Sequence, residues 1–342
     1  MHFPVPGEDH PVPGTFVVPA GSPIGRGWVV LHGITRPGPR HPELLRFVRS
    51  LAGTGGRVLV PEIRDWTELR MAPERAQRIL YGAIRWLHSE PGSAPGGVMV
   101  VGFSFGAPQA LMAASDPELA PRLRGVVGWG GYADLHRTFR FGFTGKHDWE
   151  SERYRERPDP YARWVVGING IPLSPTLRQH HDVVQALYRL AAAAGEGRLR
   201  AGHPESDPTM AELRNELSPA DRDLFDLFAP SSDREPDPEA AEALVEELVP
   251  CIRRELPLVD PLPQLRPIQT PVRLLHPRSD LLIPFTETLR LGAALRPLAP
   301  DLRVAITGLL GHSGQRSAIP VSVRAREGLR FLVALRDIFA VA

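Results

Sequence analysis

Continuous apolar runs alternate along the chain with segments of helical periodicity. Residues 27–33 (GWVVLHG) and 57–63 (RVLVPEI) are two such runs, short and apolar in the way buried strands are. Between them Leu44, Leu45, Val48 and Leu51 recur at spacings of one, three and three, which predicts an amphipathic helix over 42–53. Ile79, Leu80, Ala83, Ile84 and Leu87 predict a second over 73–88, with Pro73 in the first turn, where its missing N–H is no loss. GGVMVVGFS (96–104) and LRGVVGWGG (123–131) flank the helical run APQALMAAS (107–115). PVRLLHP (271–277), a helix pattern from Phe285 to Leu295, LRVAITGL (302–309) and a periodic stretch over 323–339 close the chain. Runs that are apolar throughout, rather than alternating, are what parallel strands covered on both faces produce. Strand–helix alternation at this spacing predicts an α/β fold with a doubly wound, mostly parallel sheet.

Residues 135–265 break the alternation. Aromatic and charged residues crowd 139–164, and Ser174-Pro175, Ser218-Pro219 and Asp237-Pro238 each set an N-cap residue before a first-turn proline. VVGI at 165–168 reads only weakly as a strand. The expectation is an all-helical insertion over 135–265 in a core made of 1–134 and 266–342. Only a weak hairpin, TFVVPA at 15–20, precedes the first clear strand, so an abbreviated sheet edge is expected.

Composition removes several chemistries. The chain has 342 residues, 40 Lys+Arg against 39 Asp+Glu, one cysteine (Cys251) and a single lysine, Lys146. No Gly-Lys-Ser/Thr run exists for a phosphate loop, and Lys146 sits in an aromatic stretch unsuited to a Schiff base. One cysteine makes neither an intrachain disulfide nor a multi-cysteine metal site. His180-His181 does not suggest a metal site, because adjacent residues face different sides of a helix. His147-Asp148 reads as a solvated loop. No metal and no cofactor are expected. A net charge of +1 gives no reason to expect nucleic acid. No stretch approaches the roughly 20 apolar residues of a membrane span, and MHFPVPGEDH lacks the features of a signal peptide. A cytoplasmic protein is expected, with homo-oligomer formation left open.

The candidate chemistry centres on Gly102-Phe103-Ser104-Phe105-Gly106. Gly-x-Ser-x-Gly is weak alone, but here it follows an apolar strand and opens a helix, as a nucleophile elbow requires. A serine hydroxyl needs a base, and His312 in Gly-Leu-Leu-Gly-His-Ser lies beyond the last strand, on the sheet edge where open α/β folds bind ligands. The base needs an orienting carboxylate. Asp280 follows the preceding strand in His-Pro-Arg-Ser-Asp, and Asp134, after the strand at 123–131, is its rival. His32-Gly33-Ile34-Thr35 ends the first clear strand and is the candidate loop for backbone donors to a developing oxyanion. His32 itself is read as structural rather than as a general base.

With these motifs in the order oxyanion loop, nucleophile, acid, histidine, the chain resembles the α/β-hydrolase superfamily, over about 1–134 and 266–342. The resemblance implies an oxyanion hole built from the N–H groups of Phe105 and Ile34, and a helical cap at 135–265. It implies a serine hydrolase that cleaves a carboxylic ester with a hydrophobic portion, its partner a small-molecule acyl substrate. An acyltransferase, thioesterase or peptidase with the same triad remains an alternative, as does a non-catalytic binding protein on a hydrolase scaffold.

Overall fold

The computed structural model describes residues 1–21, 25–90, 96–308 and 321–342. The N-terminal part supplies strands β1 (His2–Phe3), β2 (Val12–Val17), β3 (Gly27–Leu31), β4 (Arg57–Pro61), β5 (Val98–Phe103) and β6 (Leu123–Trp129). Strands β7 (Lys146–Trp149) and β8 (Glu152–Arg155) follow, and then β9 (Val272–Pro277) and β10 (Leu302–Thr307). Eight strands form one sheet in the order β1-β2-β4-β3-β5-β6-β9-β10. From β4 to β10 the neighbours run parallel, while β2 pairs antiparallel with both β1 and β4. Both antiparallel edge strands are thus present, and the abbreviation expected from the sequence is confined to β1, two residues long.

Successive strand residues point to opposite faces, and here both faces are covered. Val29, Leu31, Val98 and Val100 join the core under α3 (residues Pro73–Ser89) and α4 (Gly106–Ala114). Trp28, Val30, Met99 and Val101 join the core under α1 (Pro42–Gly53) and α12 (Val321–Val341). This two-sided burial is why the strands read as unbroken apolar runs. A one-turn helix, α2 (Arg64–Thr67), follows β4, and α11 (Phe285–Leu295) joins β9 to β10. Among the described residues no helix is long and apolar enough to cross a membrane.

Between β6 and β9 lie α5 (Leu135–Thr144), α6 (Pro160–Gly170), α7 (His181–Gly195), α8 (Asp207–Glu216), α9 (Pro219–Phe228) and α10 (Pro238–Glu255). The segment is not helical throughout, because β7 and β8 form an antiparallel hairpin within it. VVGI at 165–168 belongs to α6, and Ser218 and Asp237 cap α9 and α10 as their sequence predicts. Ser174 differs: its hydroxyl accepts from Leu177 N–H in a local turn, and α7 begins only at His181. The two ends of the segment are tied together. Asp260 accepts the N–H of Leu135 at 2.7 Å, and Arg253 reaches both Asp260 and, at 2.9 Å, Asp134.

Candidate active site

Ser104 stands in the turn from β5 to α4 with φ +51, a conformation few non-glycine residues adopt. Its N–H still donates to Trp129 O at 2.8 Å, extending the β5–β6 ladder, while its carbonyl accepts Ala107 N–H at 2.9 Å and starts the helix. The chain therefore reverses direction within one residue. The flanking glycines make that reversal possible. A Cβ on Gly102 would lie 2.1 Å from Gly106 O, and one on Gly106 would lie 2.9 Å from the Leu31 Cβ. All nine residues of α4 are buried, which fixes its N-terminus against the sheet edge. Backbone N–H groups at that end lack intrahelical partners and carry the positive end of the helix dipole.

The His32-Gly33-Ile34 loop lies beside this turn. A Cβ on Gly33 would stand 3.3 Å from the Ser104 Cβ and 3.8 Å from its Oγ. His32 is buried, with Nδ1 2.7 Å from Gly33 O and Nε2 3.3 Å from the Ile63 N–H it accepts. These partners assign the proton to Nδ1, and burial pushes the His32 pKa from 6.5 down to about 4. A carbonyl and the N–H of one trans peptide point in opposite directions, so holding Gly33 O also sets the direction of the Ile34 N–H. Neither that N–H nor the N–H of Phe105 has a hydrogen-bond partner among the described residues. The next peptide is held as well, because the Tyr161 hydroxyl of α6 donates to Ile34 O at 3.1 Å. Phe105 packs its ring on Trp66 and Tyr132.

Asp280 lies in the turn after β9 and is 1% exposed. Its Oδ1 accepts the N–H groups of Leu282 and Ile283 at 2.9 and 3.0 Å. His276, the last residue but one of β9, is fully buried below it. Its Nε2 donates to Ile283 O at 2.9 Å and lies 3.3 Å from Asp280 Oδ2, while Nδ1 meets Thr288 Oγ1 of α11 at 2.7 Å. His276 thus clamps the turn that carries Asp280. The sequence holds the signal, a histidine four residues ahead of the acid, yet periodicity marks it only as a strand residue. Asp134 has another occupation: its Oδ1 caps α5 through Arg137 N–H at 2.8 Å, and its Oδ2 pairs with Arg253.

Register brings the strand ends to one edge, with Leu31 opposite Gly102, Phe103 opposite Trp129 and Pro277 opposite Thr307. His312 lies outside the described residues. Among the described residues no group of three or more His, Cys, Asp or Glu is placed to hold a metal ion. His180 Nδ1 lies 2.6 Å from Asp221 Oδ1, a hydrogen bond between side chains. His147 is not in a solvated loop: it sits in β7, 8% exposed, stacked on Tyr154 with Phe141 and Phe285 at its edges. Burial lowers its pKa to about 4.

An eight-stranded, mostly parallel sheet covered by helices on both faces, with a strained serine between its fifth strand and a buried helix, defines the α/β-hydrolase fold. No protein-family model and no curated protein matches the chain. Solved structures with a similar chain path include the Pyrococcus furiosus esterase Pf2001, at 14% identity and TM-score 0.49 over 98% of this chain and 89% of that one. Est1E from Butyrivibrio proteoclasticus, described with bound ferulic acid, is 9% identical over 99% of both chains, with TM-score 0.47. The Pyrococcus horikoshii acylaminoacyl peptidase is 13% identical, with TM-score 0.47, over 98% of this chain but only 41% of its own. The fold assignment rests on this chain's own strand order and serine turn.

Proposed function

We propose that the protein is a serine hydrolase cleaving a carboxylic ester with a hydrophobic portion through an acyl-enzyme. The observation that carries the reading is Ser104 held at φ +51 at the head of α4, with Gly33 against its side chain. Such strain persists only where surrounding structure over-determines it, and it clusters at functional sites.

In this mechanism Ser104 Oγ attacks the ester carbonyl while His312 accepts its proton. The N–H groups of Phe105 and Ile34 hold the oxyanion of the tetrahedral intermediate. Collapse expels the alcohol, which takes the proton from His312 and leaves the acyl group on Ser104. Water, deprotonated by His312, attacks the acyl-enzyme, and a second collapse releases the carboxylate and restores the serine. Asp280 fixes the His312 tautomer and stabilises the imidazolium. Chain reach supports that pairing: Gly308 leaves β10, β10 pairs with β9 to its end, and His312 is four residues on, at roughly 3.3–3.6 Å per residue. Asp280 is favoured over Asp134 because both oxygens of Asp134 serve the base of the inserted segment.

Residues 135–265 act as the cap in this reading. The Tyr161 contact to Ile34 links that segment directly to the oxyanion loop, and its buried apolar residues continue the core above α4. Hydrolysis of chromogenic esters of increasing acyl length tests the proposal. Activity should rise with an apolar acyl chain and vanish in Ser104→Ala. Retention of most hydrolysis in that variant would exclude it.

A further inference from the structure

In the strand order β3-β5-β6-β9 the loop at Gly33–Ile34 and the turn that carries Asp280 lie on opposite sides of Ser104, and the first residues of α6 touch both. The N–H of Asp159, the N-cap of α6, donates to Leu281 O at 2.8 Å, beside Asp280. Two residues on, the Tyr161 hydroxyl donates to Ile34 O at 3.1 Å. Three residues of the inserted segment thus bridge the acid turn and the oxyanion loop, although none of the proposed reacting groups lies on α6.

The phenol is delivered from a fixed backbone. Asp159 Oδ1 caps α6 through the Tyr161 N–H at 2.9 Å. Two turns later Asn169 accepts the Met71 N–H at 2.9 Å and donates to Leu69 O at 2.8 Å, which pins the far end of the helix to the core. The Tyr161 ring packs edge-on against Trp164. Burial pushes the Tyr161 phenol well above its ordinary range, so the hydroxyl keeps its proton and remains a donor at neutral pH.

Ile34 stands between two held carbonyls. His32 Nδ1 holds Gly33 O on one side, and Tyr161 holds Ile34 O on the other. One hydrogen bond leaves a peptide plane free to pivot, whereas fixing both planes that meet at Ile34 restrains its φ and ψ together. The loop is backed further along as well. Arg36 Nη1 donates to Thr67 O at 2.9 Å, and a Cβ on Gly195, the last residue of α7, would stand 3.3 Å from Arg36 N.

We propose that Tyr161 is a positioning residue for the oxyanion hole: its hydroxyl holds the Ile34–Thr35 peptide so that the Ile34 N–H points at the developing oxyanion. This role rests on the ester-cleaving reading and adds that the hole is complete only while α6 is seated.

Tyr161→Phe removes one oxygen and keeps the ring. On a chromogenic ester it should lower kcat by about 10- to 100-fold with KM within about threefold, because the donor it positions acts on the transition state. A trifluoromethyl ketone, which Ser104 would convert to a hemiketal oxyanion, should lose affinity by about the factor by which kcat/KM falls. Gly33→Ala displaces the same donor, so adding Tyr161→Phe to it should cost less than about threefold more. Ser104-dependent hydrolysis with unchanged kcat in Tyr161→Phe, a loss confined to KM, unaltered inhibitor affinity, or full additivity with Gly33→Ala would each overturn the positioning role and leave the hydrolase reading standing. Absence of wild-type hydrolysis, or hydrolysis that persists in Ser104→Ala, would instead overturn that reading and this role with it.

Discussion

Gly33 faces Ser104 so closely that a Cβ on Gly33 would stand 3.3 Å from the serine Cβ and 3.8 Å from its Oγ. That spacing is tight for a methyl group but not prohibitive for the fold, so the loop has to shift by a few tenths of an ångström. Because the Ile34 N–H belongs to the same peptide as Gly33 O, a shift there moves the proposed oxyanion donor. Gly33→Ala is expected to lower kcat by about 10- to 100-fold, approaching the loss seen when one such donor is removed. KM should stay within about threefold, since ground-state binding is not the interaction lost. Steady-state kinetics on a chromogenic ester, with a melting curve to confirm folding, checks this.

The strain at Ser104 separates stability from function. A non-glycine residue in the left-handed region costs about 1–3 kcal/mol, and glycine adopts that conformation without a Cβ clash. Ser104→Gly should therefore melt higher than the wild type, by about 1–3 °C for a gain near 1 kcal/mol in a chain of this size. It should also be inactive. A lower melting temperature would mean that the serine side chain makes a net stabilising contribution that outweighs the strain.

His32 supplies a pH dependence whose sign is fixed by burial. Its folded-state pKa is lowered from 6.5 to about 4, so the unfolded chain binds a proton in this window that the folded chain refuses. Stability linked to the neutral imidazole is complete above pH 6.5 and is lost as pH falls toward 4, with a ceiling of about 3 kcal/mol. Urea unfolding between pH 7.5 and 4.5 should show this slope. The buried His147, lowered to about 4 as well, adds to the same slope. His32→Asn, which keeps a donor for Gly33 O without a titrating ring, should therefore reduce the slope by about half, and an unchanged slope in that variant would assign the effect elsewhere.

The two candidate acids are separable by mutation. Asp280→Asn is expected to lower kcat by about 10⁴-fold, as when the orienting carboxylate of such a relay becomes an amide. Asp134→Asn should leave kcat unchanged within about twofold, and Asp134→Ala should destabilise by about 1 kcal/mol through loss of the α5 cap. His276→Leu removes the N–H that holds Ile283 O. It should cost about 10- to 100-fold in kcat by misplacing Asp280, with recovery in His276→Gln. In the Asp280→Asn background His276→Leu should add little, because it acts through that carboxylate.

The sheet was legible in the sequence where burial is two-sided. Trp28 to Leu31 and Val98 to Val101 are apolar on both faces because α1 and α12 cover one side and α3 and α4 the other. The α1 bounds follow the Leu44, Val48 and Leu51 stripe to the residue. Legibility failed where tertiary packing overrode local preference. VVGI at 165–168 is β-branched and apolar, yet α6 buries it on several sides at once, beside Leu187 and Phe228. Lys146 to Trp149 mixes charge with aromatics and has no strand alternation, but a hairpin forms because His147 stacks on Tyr154 across it. At the candidate site Ser104, Gly102 and Gly106 could be read because their spacing encodes a steric requirement. The clamp from His276 to the Asp280 turn could not, since it depends on Thr288 arriving from another helix.

The central claim is that Ser104 is an activated nucleophile, and its most direct test is covalent. A fluorophosphonate reacts with serine hydroxyls only where a base and an oxyanion site activate them, and it leaves a stable adduct readable by intact mass and peptide mapping. The account predicts one adduct per chain on the peptide containing Ser104, lost in Ser104→Ala and strongly slowed in His312→Ala. Absence of an adduct under conditions that label serine hydrolases, or an adduct that persists in Ser104→Ala, would contradict it.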